Sequence, residues 1–148
     1  MKKKEMLEEL SQAMSRWQRA ETKGLSQTSH IMEQTDNRLI QLVMEVIQRD
    51  SHMHHRVQQV IRDSLETTTL SLSPEELGRI WDEIEKHIAT ERETIDFATS
   101  ALETLQQGQG RSYLLQQYLL SYLLEDEKKH EKLLSDLELI KRNMYPYG

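Results

Sequence analysis

Every long apolar stripe in this chain is interrupted near its middle by ionisable residues. Apolar residues recur at helical spacing almost throughout. The first stripe is Leu7, Leu10, Met14, Trp17, Leu25 and Met32, and it passes over Glu21. The second is Leu39, Val43, Ile47, Val57, Ile61 and Leu65, passing over Asp50 and His54. The third is Leu77, Ile80, Ile84, Ile95, Ala98, Leu102 and Leu105, passing over His87 or Ile88 and Glu91. The fourth is Leu115, Leu119, Leu123, Leu134 and Leu137, passing over Asp126, Glu127 and His130. Each stripe is one face of an amphipathic helix, and burying four of them together gives a four-helix bundle. The expected helices cover about 3–33, 36–65, 74–106 and 111–142. A length of 148 residues suits a single all-α domain over 1–148.

The punctuation supports these limits. Ser73-Pro74-Glu75-Glu76 is a capping box with proline at the first helical position. Thr35-Asp36-Asn37 reads as a turn and a new cap, and Gly108 and Gly110 end the third helix. Gly24 lies inside the first stripe, where a break is an alternative to a continuous helix. Residues 66–73 lose the period and read as an extended connector, and Asn143 to Gly148 as a tail.

Composition narrows the chemistry. Cysteine is absent, which excludes disulfides, thiol catalysis, iron–sulfur clusters and Cys-ligated zinc. Any metal must be held by His and carboxylates. The net charge of −6 argues against duplex DNA as a partner, because such binders gain affinity by neutralising phosphates. With a mean hydropathy of −0.72, no 20-residue apolar span exists, so no membrane helix is expected. Met1 to Glu5 is basic but leads into no apolar stretch, unlike a signal peptide, and the reading is a soluble cytoplasmic protein.

The chain also reads as an internal repeat. A shift of 70 carries Leu7, Leu10, Met14, Glu21 and Leu25 onto Leu77, Ile80, Ile84, Glu91 and Ile95. A shift of 76 carries Asp50, His54 and Val57 onto Asp126, His130 and Leu133. Each half is then a helix pair, with a Glu on its first helix and Asp-x-x-x-His on its second. Glu127-x-x-His130 places both side chains on one face, but a single such pair is expected by chance. Its weight comes from the stripe and from the repeat. The counterpart of Glu127 in the first half is Ser51, a poor metal ligand. Glu93 is a rival to Glu91, and His87 is more often a core-edge residue than a ligand. Several carboxylates at one level of a core would repel one another unless they bound protons or cations.

This layout resembles the ferritin-like superfamily, particularly its rubrerythrin and bacterioferritin branch. Those proteins place a Glu on helices one and three and Asp-Glu-x-x-His on helices two and four. Here Asp126-Glu127-Lys128-Lys129-His130 keeps the run, while Asp50-Ser51-His52-Met53-His54 keeps only the Asp and the His. The resemblance implies the ligands Glu21, His54, Glu91, Glu127 and His130. It makes Asp50 and Asp126 partners that orient His rings across the bundle, with Asp50 or His87 available to complete a depleted site. It also implies iron as a di-iron or single-iron centre, with manganese or zinc as alternatives. The oxidant would be O2 or H2O2 and the electron donor an external protein. The function implied is iron oxidation or oxidative-stress protection, with ferroxidase or peroxidase activity. Separately, the wide apolar band of Leu114, Leu115, Leu119, Leu120, Leu123 and Leu124 fits a helix facing both its own core and a partner subunit, so a homodimer is expected. The fold requires a crossover along the bundle, yet residues 66–73 span only about 28 Å at roughly 3.5 Å each. An earlier end to the second helix would relieve this, and an up-down-up-down bundle is the alternative. The rival functional reading is a non-catalytic dimeric interaction bundle whose site degenerated with Ser51. Zinc hydrolysis is weaker still, since His-Glu-x-x-His is missing.

Overall fold

The computed structural model describes residues 2–67, 70–107 and 113–144. The predicted breaks at Gly108 and Gly110 and the end of the tail lie outside them. The described residues form four helices: α1 (Lys3–Glu33), α2 (Arg38–Glu66), α3 (Pro74–Gln107) and α4 (Leu114–Met144). The chain divides into two compact units, Met1–Leu70 and Ser71–Gly148. In the first, α1 packs on α2, and in the second, α3 packs on α4. None of the described helices is long and apolar enough to cross a membrane.

The caps fall where the sequence places them. The Asn37 side chain accepts from the Leu39 and Ile40 amides, both at 3.0 Å. The Glu76 amide donates to Ser73 Oγ at 3.1 Å while the Glu76 carboxylate accepts from the Ser73 amide at 3.3 Å. The second helix runs to Glu66, so it does not end early to lengthen the connector. The first helix continues through Gly24, whose carbonyl accepts from Thr28 Oγ1 at 2.9 Å, so there is no break there.

Both pairs are antiparallel, as the cross-helix bonds show. Ser11 reaches Glu66, Gln18 reaches Gln59 and Thr28 reaches Gln48 in the first pair. In the second, Thr94 reaches Glu127 and Arg92 reaches Glu131. The buried positions lie 3, 4, 7, 10 or 11 residues apart, sums of the threes and fours that keep one face of a helix against a neighbour. Along α3 they are Leu77, Ile88, Glu91 and Ala98, so the seam is apolar with one carboxylate in it. In the first pair they are Met14, Gln18, Thr28, Ser51 and Gln58, so that seam is mostly polar.

Several residues of the predicted stripes lie outside these seams. Leu10, Trp17, Ile47, Val57, Ile80, Leu115 and Leu123 are exposed. Two helices side by side can bury only a narrow strip of each, and an apolar stripe wider than that strip leaves its remainder facing out. At about 100° per residue, Leu119, Tyr122, Asp126, His130, Leu133 and Leu137 share one side of α4. The repeat places Val43, Val46, Asp50, His54, Val57 and Ile61 on the corresponding side of α2. Each Asp-x-x-x-His therefore lies in the middle of an apolar row beside the seam.

Candidate metal centre

Glu91 is the one charged residue in the α3 seam, with its side chain only 9% exposed. A carboxylate so placed needs partners. His87, one turn earlier on α3, contacts Glu91 Oε1 through Nε2 at 2.9 Å. From α4, His130 Nδ1 lies 3.6 Å from the same oxygen and 3.8 Å from Glu127 Oε2. The other oxygen, Glu91 Oε2, is buried and has no hydrogen-bond partner. Glu91, Glu127 and His130 each offer a ligand atom, and these atoms lie within 4.8 Å of one another.

Surrounding groups fix the three side chains. Thr94 Oγ1 donates to Glu127 Oε2 at 3.0 Å, and also to the Glu91 carbonyl at 2.8 Å. Asp126 Oδ2 stands 3.4 Å from His130 Nε2, which turns Nδ1 toward the two glutamates. Within α4, Asp126 thus stands where it can orient the His130 ring. Arg92 clamps Glu131 at 3.2 Å beside the group, tying α3 to α4 at this level.

The electrostatics follow from two carboxylates side by side. The Glu127 carboxyl beside it, and then burial, push the Glu91 pKa up. The same side-by-side contact, with the Thr94 hydroxyl and the nearby His130, holds Glu127 down. Glu91 therefore holds a proton more tightly than an isolated glutamate, and Glu127 less tightly.

The first helix pair holds the other predicted ligands. His54 Nδ1 lies 3.2 Å from Glu21 Oε1, with Glu21 13% and His54 57% exposed at the side chain. Asp50 is half-buried one turn before His54. Ser51 is buried where the repeat would put a second bridging Glu. The structure thus brings Glu91, Glu127 and His130 together with His87 and Asp126 around them. Within the first unit it brings Glu21 and His54 together. Glu93 is exposed, which leaves Glu91 as the inward glutamate. His52 and His55 are exposed as well. Thr94 was not among the sequence candidates, although its place three residues after Glu91 puts it on the same face. Compared with family models, curated proteins and solved structures, the chain matches none.

Proposed function

We propose that this chain is a ferritin-like iron protein that binds a divalent ion at Glu91, Glu127 and His130. The observation that carries this reading is Glu91 Oε2, a buried carboxylate oxygen without a partner beside a second carboxylate and an imidazole. Two carboxylates and one imidazole suit Fe(II), Mn(II) and Zn(II). Three protein ligands leave positions open, the condition for reaction rather than storage of a structural ion.

Bound iron would supply the electrons for reducing O2 or H2O2. With peroxide, two Fe(II) ions and two protons give two Fe(III) ions and two waters. The protein's own part is to bind and to manage protons. Glu127, already held low by its neighbours, is ready as a carboxylate ligand. Asp126 keeps the His130 ring aimed, and Thr94 holds the Glu127 carboxylate in place. His87, against Glu91 Oε1, fixes the position of that carboxylate.

The expected test outcome is tight anaerobic Fe(II) binding to the metal-free protein, followed by oxidation when O2 or H2O2 is admitted. Glu127→Ala combined with His130→Ala should weaken binding by more than about a hundred-fold. Unchanged binding in that variant would end the ligand assignment. A non-catalytic interaction bundle is favoured instead if the wild-type protein takes up no ion and its melting temperature ignores added metal. The buried Ser51, in place of a second bridging Glu, is the observation behind that alternative.

A further inference from the structure

The second helix pair carries half of a two-metal ligand set. A carboxylate-bridged di-metal bundle takes one Glu from each of two helices and Glu-x-x-His from each of two others. Helix α3 supplies one such Glu, Glu91, and α4 supplies one Glu127-x-x-His130. The row that carries His130 also leaves large apolar side chains in the open. Tyr122 is 38% and Leu133 63% exposed, on either side of the Asp126 and His130 level. Next to the row, Ala101, Leu105, Leu119, Leu120 and Leu123 line an apolar groove of about 540 Å³. An apolar surface that runs through a polar ligand group marks a docking face and not a solvated side.

We propose that a second copy of this chain completes the centre, with α3 and α4 meeting their equivalents about a two-fold axis. The inference rests on the metal-site reading above. A two-fold interface is self-complementary, so one half-set placed beside the axis becomes a full set. Two Glu91, two Glu127 and two His130 side chains would then enclose two divalent ions. Four carboxylates brought together repel, and two divalent ions cancel their charge, so assembly and metal binding are coupled.

The test is sedimentation velocity on the full-length, metal-free chain, titrated anaerobically with Fe(II). The expected result is a mass that doubles as one ion per chain is taken up. Leu133→Glu places a charge on the exposed row one turn beyond His130, so ion uptake is measured alongside the mass. It should weaken the metal-loaded dimer about ten-fold or more while the helical circular dichroism is kept. Glu21→Ala with His54→Ala should leave both dimer and stoichiometry as they were. Ion uptake with unchanged mass would overturn the second-copy proposal and leave the site reading standing. No uptake at all would end both. A dimer indifferent to metal or to Leu133→Glu, or uptake halved by the Glu21 and His54 substitutions, would also overturn it.

Discussion

The two helix pairs share one spacing plan and differ in what lies in their seams. Between α3 and α4 the buried residues are Leu77, Ile88 and Ala98, with Glu91 alone among them. Between α1 and α2 they are Gln18, Thr28, Ser51 and Gln58, with Met14 the one buried hydrocarbon. The polar seam is closed by bonds rather than by burial. Gln18 Nε2 donates to the His55 carbonyl at 3.2 Å and to Gln59 at 3.0 Å, and its oxygen accepts from Arg62 at 3.2 Å. Such a network fixes register but contributes little net stability, since water offers the same bonds in the unfolded chain. The apolar seam can carry the cost of one buried carboxylate, and there the three ligand atoms converge. The candidate ligand group thus lies in the pair whose remaining core is apolar.

The largest expected effect comes from removing the charge that sets this contrast. Glu91→Gln keeps the shape but removes a ligand oxygen and the titrating proton, and should lower metal affinity about a hundred-fold. It should also flatten the pH dependence of binding. In the wild type, the ion competes with a proton that Glu91 holds more tightly than an ordinary glutamate, because the adjacent Glu127 carboxyl and burial raise its pKa. Affinity should therefore rise with pH through the raised Glu91 value. For the metal-free protein the sign is opposite. The Glu91 contribution to stability is complete below the ordinary glutamate value of about 4.3 and fades as pH rises through the folded one. Glu127, held down, contributes above about 4.3 and loses its contribution as pH falls through its own folded value. Calorimetric titration at several pH values checks both trends. A wild-type affinity independent of pH would contradict the raised Glu91 pKa.

A second test tries to make the pairs alike. Ser51→Glu restores the residue that the repeat predicts, at a buried position three residues before His54. Without metal it should destabilise the first pair by about 2–3 kcal/mol, because it buries a carboxylate near Glu21. With Fe(II) or Mn(II) it should regain stability and bind one more ion per chain. Denaturant melts with and without metal read both effects. A variant that melts like the wild type in both conditions would show that the Ser51 site does not face Glu21 and His54.

How much of this was legible depended on what hydropathy can record. The four helices were readable because Ser73 and Asn37 are strong caps and apolar residues keep the helical period. The seams were less so. A stripe through Leu10, Trp17 and Val57 identifies an apolar side, but the side that meets the partner helix runs through Gln18 and Gln58, which hydropathy scores as solvent-facing. Glu127 and His130 were readable through the repeat, and Glu91 was separated from Glu93 by its place on the stripe. The contacts of His87 and Thr94 were not, because they depend on rotamers and on the distance between helices. The capture of His130 by Asp126 on its own helix likewise depends on side-chain direction, which spacing alone leaves open.

A smaller change addresses the polar seam itself. The repeat aligns Gln58 with Leu134. Gln58 is 3% exposed and its Oε1 has no partner, so the residue bears a desolvation cost without the matching bond. Gln58→Leu should stabilise the first pair by about 1 kcal/mol, seen as a higher melting midpoint. Destabilisation of that size would mean that the amide sets the register through its Nε2 side.

The smallest expected effect is at Gly24, the position where the sequence allowed a break. The glycine is mid-helix with ordinary negative φ, and a Cβ added there would meet nothing within 4 Å. Neither a turn nor a close approach requires it. Gly24→Ala should then stabilise the first pair by about 0.5–1 kcal/mol, mainly by reducing the freedom of the unfolded chain. The same change at Gly78, which also has open space, should give a similar gain in the second pair. Equal gains would show that the two pairs differ in their seams and not in their backbones. A loss confined to Gly24→Ala would place a close neighbour over α1 in the assembled protein, at the spot where the glycine leaves room for it.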